Sequence, residues 1–131
     1  MAEYPKNLKY TKEHEWARKD GKSLVVVGIT SHAQEELGDV VYVELPKVGS
    51  SITAGVPFGV IESTKAVSEL FAPISGKVLK VNDSLTGSPQ TVNEDPYKAG
   101  WFIEVEPSDA RQVDQLMDAS AYEKLVQVKP E

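Results

Sequence analysis

Short β-branched runs follow one another along this chain, and Gly or Pro interrupts them before any long helix can develop. Leu24-Val25-Val26-Val27 is closed by Gly28, and Val40-Val41-Tyr42-Val43-Glu44-Leu45 starts after Gly38-Asp39 and stops at Pro46. Pro57 to Glu62, Val67 to Phe71, Gly76 to Val81 and Trp101 to Val105 complete the set. Branched and aromatic side chains favour extended backbone, so this spacing predicts a mainly β fold, a sandwich or barrel with tight turns. Helices are predicted to be few. Thr30-Ser31 caps a short one through Glu36, ended by Gly38. Ser108 caps another from Asp109 to Met117, and Ala121 to Val128 continues a helical C-terminal segment of about 108–128. No low-complexity linker divides the chain, and 131 residues suit a single domain, 1–131.

The chain also echoes itself. Gly38-Asp39-Val40-Val41-Tyr42-Val43 aligns with Gly76-Lys77-Val78-Leu79-Lys80-Val81, and the same register brings Gly49-Ser50 onto Gly87-Ser88. After a gap of a few residues Val60-Ile61-Glu62 meets Phe102-Ile103-Glu104. Two copies are too few for a solenoid and predict a pseudo-twofold domain whose halves share one core. Val-rich strands also resemble one another by chance, but the matched glycines favour a true repeat, each copy needing the same backbone turn.

Composition removes several functions. A net charge of −6 argues against a nucleic-acid binder and suits docking on positively charged protein surfaces. No apolar run reaches the length of a membrane span, and Met1-Ala2-Glu3-Tyr4-Pro5 has neither a signal-peptide core nor an Arg-rich transit pattern. That start favours a bacterial cytoplasm, with a mature mitochondrial matrix protein as second choice, and a monomer is expected. With no cysteine there is no disulfide, thiolate nucleophile or Cys metal site, and His14 and His32 match no metal spacing. No Ser/His/Asp set or dinucleotide turn supports an independent enzyme, and Gly49-Ser50-Ser51-Ile52-Thr53-Ala54-Gly55 lacks a P-loop lysine. Sulfur redox chemistry here would need an attached group.

Such a group has an obvious place. Where the first copy gives way to the second, Val60 and Ile61 lead into Ser63-Thr64-Lys65-Ala66, and Val67, Leu70 and Phe71 lead out. This predicts an exposed hairpin over about 57–72 with Lys65 at its tip. An exposed turn lysine is ordinarily a solubilising charge, and with an unperturbed pKa near ~10.4 it is no catalyst at neutral pH. As an attachment point it is accessible and held in one geometry.

The residues around it resemble those of a known family. Glu62-Ser63-Thr64-Lys65-Ala66, then Glu69 and Ala72-Pro73-Ile74-Ser75-Gly76, are similar to the lipoyl-lysine hairpin of the glycine cleavage system H proteins. Further matches are Leu8-Lys9-Tyr10, His14-Glu15-Trp16, Gly28-Ile29-Thr30, Ala33-Gln34, and Leu37 through Pro46 with Gly49. Val81-Asn82, Asn93, Pro96-Tyr97, Gly100-Trp101 and Tyr122 extend the resemblance from about Leu8 to Tyr122. Thr64 departs from the family's frequent Val, but it is equally β-branched and nearly isosteric.

The resemblance implies a barrel-sandwich hybrid of two antiparallel sheets, with lipoic acid in amide linkage to Lys65. It implies a carrier rather than an enzyme. The arm would take an aminomethyl group from a pyridoxal-phosphate glycine decarboxylase and pass it to a tetrahydrofolate-dependent aminomethyltransferase. An FAD- and NAD-dependent dihydrolipoyl dehydrogenase would then reoxidise the arm. A lipoate ligase or a lipoyl/octanoyl transferase would load it, reading Glu62, Ser63, Thr64, Ala66 and Glu69; Glu62 and Glu69 are equally readable as solvated strand carboxylates. The loaded arm is expected to fold back into a cleft on its own carrier. Glu15 is the candidate acceptor for its ammonium, and Ile29, His32 and Glu36 are candidate lining. The bland alternative makes Glu15 a solvated strand residue beside a core Trp16. The rival carriers fit less well. A biotin carrier usually sets its lysine between methionines, and a 2-oxoacid dehydrogenase lipoyl domain usually has Asp before the lysine. A lipoyl-relay protein, or a carrier serving another multienzyme complex, remains the alternative function.

Overall fold

The computed structural model describes residues 4–21, 23–109 and 111–127. Nine strands are described: β1 (Lys9–Tyr10), β2 (Glu15–Lys19), β3 (Val25–Ile29), β4 (Val40–Glu44), β5 (Ser51–Ile52), β6 (Pro57–Ser63), β7 (Val67–Phe71), β8 (Gly76–Val81) and β9 (Ile103–Pro107). Five helical segments join them: α1 (Ser31–Leu37), α2 (Ser84–Gly87), α3 (Thr91–Glu94), α4 (Arg111–Asp114) and α5 (Ala119–Gln127). The strands form a six-stranded sheet, β1-β2-β3-β9-β8-β5, and a three-stranded sheet, β4-β6-β7. Each pairing is antiparallel. The mainly β architecture of two antiparallel sheets expected from the sequence is what is found.

The main core lies between the sheets, where Val25, Val27 and Ile29 of β3 meet Val43, Ile61, Leu70, Val78 and Ile103. Val26 points the other way, into a second cluster with Leu8, Tyr10, Trp16 and Tyr122 of α5. β3 is therefore buried on both faces, which is why its valines run without alternation. Gly28 does not close this strand as the sequence suggested. It lies inside β3, opposite Trp16, where a Cβ would run into the indole ring.

The internal echo is real at the level of strand register. Val43 faces Ile61 in one copy and Val81 faces Ile103 in the other; Tyr42 faces Glu62, and Lys80 faces Glu104. Even the irregularity recurs, between Val40 and Tyr42 in β4 and between Val78 and Lys80 in β8. The glycines do not share one turn, contrary to expectation. Gly38 (φ 81°) and Gly49 (φ 94°) occupy the left-handed region, whereas Gly76 and Gly87 are not among the positive-φ glycines. Gly76 is required for space instead, since a Cβ there would strike the Glu106 carbonyl.

Thr30 caps α1 as expected, its hydroxyl accepting from the Ala33 N–H (3.2 Å), and Gly38 ends it by donating to the Gln34 carbonyl (3.0 Å). The predicted helix over Asp109–Met117 is corrected. Ser108 turns away to donate to the Ser75 carbonyl (3.0 Å from its N–H), and Asp109 accepts from the Arg111 N–H (3.0 Å) at the start of a helix only four residues long. Met117 is then taken into an antiparallel bridge with Tyr10. The last helix begins at Ala119, with the Asp118 carboxylate accepting from the Ala121 N–H (2.8 Å), and Val128 lies outside the described residues.

The different demands at equivalent glycines can be measured. Gly49→Ala places a side chain at positive φ and should lose about 1–2 kcal/mol. Gly87→Ala has open space in a helical segment and should stay within about 0.5 kcal/mol of the parent. Urea midpoints of the two variants should separate accordingly; equal losses would mean that both copies need the same turn after all.

Candidate functional site

The Lys65 turn is built without Gly or Asn because a hydroxyl does their work. β6 and β7 are closed by Ser63 N–H donating to the Ala66 carbonyl (2.8 Å). The Ser63 Oγ also accepts from the N–H groups of Lys65 and Ala66, both at 3.1 Å, so the turn's donors are satisfied locally. Thr64 N–H donates to the Asp39 carbonyl (3.0 Å), anchoring the tip to the junction between α1 and β4. The Lys65 side chain is exposed, and its stem crosses Gly38, where an added Cβ would sit 3.3 Å from Lys65 Cε.

That junction is itself clamped by Asn93 of α3. Its Oδ1 accepts from Val40 N–H (2.8 Å), while its Nδ2 donates to the Gly38 carbonyl (2.8 Å) and to Gln34 Oε1 (3.0 Å). In the sequence Asn93 stands out only as a motif position. Its role as a clamp on the tip's support needed the fold, because its partners lie more than fifty residues away.

Beside the tip a cleft of about 280 Å³ opens between α1, the turn into β2 and the edge of β7. Its wall is apolar, with Ile29, Ala33, Leu37, Ile61 and Leu70. Four carboxylates line it, Glu13, Glu15, Glu36 and Glu69, and neither Lys nor Arg does. Three of the predicted lining residues, Glu15, Ile29 and Glu36, are thus brought together with Ala66 and Glu69 of the hairpin. His32 is not among the lining residues; its Nε2 lies 3.5 Å from Glu36 Oε2 and its ring 4.7 Å from that of His14. Glu62 and Thr64 also stay outside the cleft, Glu62 in the last strand pair before the turn.

Glu15 is not a solvated strand residue. It is 2% exposed, and each carboxylate oxygen has a partner: Oε1 accepts from Thr11 Oγ1–H (2.7 Å) and Oε2 from Phe71 N–H (3.0 Å). Burial pushes its pKa up to about 7, against the two hydrogen bonds, which favour the anion; the neighbouring Glu13 charge adds to the rise. Beside it His14 adopts φ 74°, a left-handed conformation that costs a non-glycine residue about 1–2 kcal/mol. It is held there by Thr30 N–H donating to its carbonyl (3.1 Å) and by a 2.7 Å bond between Nδ1 and the Tyr122 hydroxyl. Burial, with His32 next to it, pushes the His14 imidazole below its usual value. Tyr122 also bonds Thr30 Oγ1 (2.8 Å), so α5 ties His14 at the cleft to the N-cap of α1.

The buried carboxylate leaves a signature in stability. A pKa raised in the fold means that the native state binds a proton that the unfolded chain releases, from about the ordinary Glu value up to about 7. Native stability therefore falls as pH rises through that window. His14, lowered in the fold, has the opposite slope, so the comparison must be with Glu15→Gln, which keeps His14. Between pH 5 and pH 8 the Gln variant should gain on the order of 2 kcal/mol relative to wild type in urea unfolding. Parallel pH profiles would show that Glu15 is ionised at ordinary cost.

Two antiparallel sheets that fix one exposed lysine on a braced turn, beside an acidic and apolar-walled cleft, define a lysine-presenting β domain. Comparison with known proteins makes this specific. The family model described as Glycine cleavage H-protein matches residues 8–129. A glycine cleavage system H protein of Myxococcus xanthus is 70% identical over 123 residues, covering 94% of this chain and 95% of its own. One from Carboxydothermus hydrogenoformans is 52% identical over the full length of both chains. The crystal structure of a glycine cleavage system H protein from Mycobacterium marinum superposes with a TM-score of 0.86 at 43% identity, covering 95% of this chain and 99% of that one. The chain belongs to the glycine cleavage H-protein family.

Proposed function

We infer that this chain is the lipoyl-bearing carrier of the glycine cleavage system, with lipoate in amide linkage to Lys65. The observation that carries this reading is the placement of Lys65, solvent-exposed on a turn fixed by Ser63 and by the Asp39 carbonyl, next to the acidic cleft. Lys65 would hold the lipoyl group, which would supply a redox-active dithiolane for carrying an aminomethyl group between glycine decarboxylase and aminomethyltransferase, with dihydrolipoyl dehydrogenase as the reoxidising partner.

The protein's own residues present, shelter and return the arm. Acylation converts the Lys65 ammonium to a neutral amide and removes its charge from the tip. Ile29, Leu37, Ile61 and Leu70 give an apolar wall for a hydrocarbon, and Glu13, Glu15, Glu36 and Glu69 favour a cationic end group over an anionic one. Glu15 is the buried member of that set, and a cation beside it would draw its carboxyl toward the ionised form. His32 would act through its contacts with His14 and Glu36. Chain-borne catalysis is not part of this reading.

Glu62, Ser63, Thr64, Ala66 and Glu69 are the residues a lipoate ligase or lipoyl/octanoyl transferase would meet around Lys65. Ser63 would act by shaping the turn, and Glu62 and Glu69 by charge.

Lys65→Arg retains charge and exposure, so its melting temperature should stay within about 2 °C of wild type. It should nevertheless accept no lipoyl group by intact mass, and glycine–bicarbonate exchange with the partner enzymes should fall to background. The wild-type chain should support that exchange only after lipoylation. Lipoate mapped to another lysine, or exchange by the unmodified chain, would overturn the assignment.

A further inference from the structure

The outer face of the three-stranded sheet carries an exposed apolar and acidic patch immediately behind the Lys65 turn. Directly opposed residues of an antiparallel pair share a face, and register places Tyr42, Glu62 and Val67 in one row across β4, β6 and β7. This is the last row paired across all three strands before the turn, with Val40 and Ser63 pairing beyond it. The next row on that face is Glu44, Val60 and Glu69. Alternate residues Val43, Ile61 and Leu70 point into the core, so the outer rows lie outside it.

Tyr42 is 47% exposed and Val67 68% exposed, and they flank Glu62 in one row rather than standing apart. Three carboxylates, Glu44, Glu62 and Glu69, stand among them, and the two rows contain no cation. An aromatic and an aliphatic anchor flanked by three carboxylates, with Lys47 beside Tyr42 and Glu44 at the far end, fit a partner whose apolar spot is bordered mainly by Lys and Arg.

Resting on the assignment of Lys65 as the acylated residue, we propose that this face is the docking surface of the enzyme that acylates Lys65, with Tyr42 and Val67 as its apolar anchors. Geometry selects that enzyme. Acylation brings the lysine nitrogen itself into the partner's active site, so the partner must cover the turn and the row behind it. Enzymes that act at the far end of an attached arm can remain an arm's length from this face. Tyr42 lies more than twenty residues before the lysine, and strand pairing alone places it in the recognition zone.

The test uses the unmodified protein with a lipoate ligase, lipoate and ATP, following acylation by intact mass and binding of the two proteins by calorimetry. Tyr42→Ser and Val67→Ser should each raise the KM for the carrier, and the Kd, by about tenfold, with kcat within about twofold. Tyr42→Phe should behave as wild type, since the ring rather than the hydroxyl makes the contact. Glu44→Lys should weaken binding at low salt, with the loss shrinking as salt is raised. Unchanged melting temperatures would show that the fold is intact. Wild-type KM and Kd in both Ser variants, or losses confined to glycine–bicarbonate exchange of the lipoylated forms, would overturn the docking face while leaving Lys65 in place. A wild-type chain that is never acylated would overturn both readings together.

Discussion

The Glu15 carboxylate joins the two sheets at the point where the cleft opens. Its backbone belongs to the six-stranded sheet, one oxygen is held by Thr11 across the preceding turn, and the other takes the Phe71 N–H at the end of β7 in the three-stranded sheet. The separation of the sheets along this edge is therefore set by a hydrogen bond as well as by packing. The next residue along β2, Trp16, enters the second core and donates to the Pro96 carbonyl (3.0 Å). Alternation along one short strand thus sends a carboxylate to the cleft and an indole to the support beneath it. Burial outweighs the two hydrogen bonds in setting the protonation of Glu15. The low dielectric around this carboxyl thus sets its protonation more than its partners do.

The lysine turn and the cleft rest on largely different supports. The lysine turn hangs on main-chain groups, Asp39 above all, and on a clamp from α3. The cleft depends on α1, on the strained His14 and on the reach of Tyr122. The two supports meet in a few places: Ala66 belongs to the turn and also lines the cleft, Asn93 ties the Gly38 carbonyl to Gln34 of α1, and Gly38 follows Leu37 of the cleft and passes beneath the lysine stem.

Much of this was legible in the sequence. Six of the nine described strands and the register of the repeat could be read, since Val43/Ile61 and Val81/Ile103 occupy equivalent inward positions; the five-residue β2 was not in the predicted set, its Glu15-Trp16-Ala17-Arg18-Lys19 carrying no β-branched run. Thr30 and Gly38 announced α1 by local chemistry alone. What could not be read was set by distant partners. Met117 is an ordinary helix former until Tyr10 offers it a bridge, and the two-residue strands carry too few residues for any period. The repeat's glycines misled because glycine answers several needs, positive φ at Gly49 and bare space at Gly76 among them. Glu15 looked like any strand glutamate; nothing near it in the chain says that Phe71 will bring a donor to it.

The bond from Tyr122 to His14 and Thr30 gives the molecule an order of completion. The ribosome delivers the chain from its first residue, and the partners that fix the lysine turn, from Gln34 and Asp39 to Asn93, have all been made before the last quarter of the sequence emerges. His14 must wait for Tyr122, and Tyr10 for Met117. A nascent chain thus holds these partners of the Lys65 turn well before it holds Tyr122, and α5 acts as a clasp on the edge of the cleft.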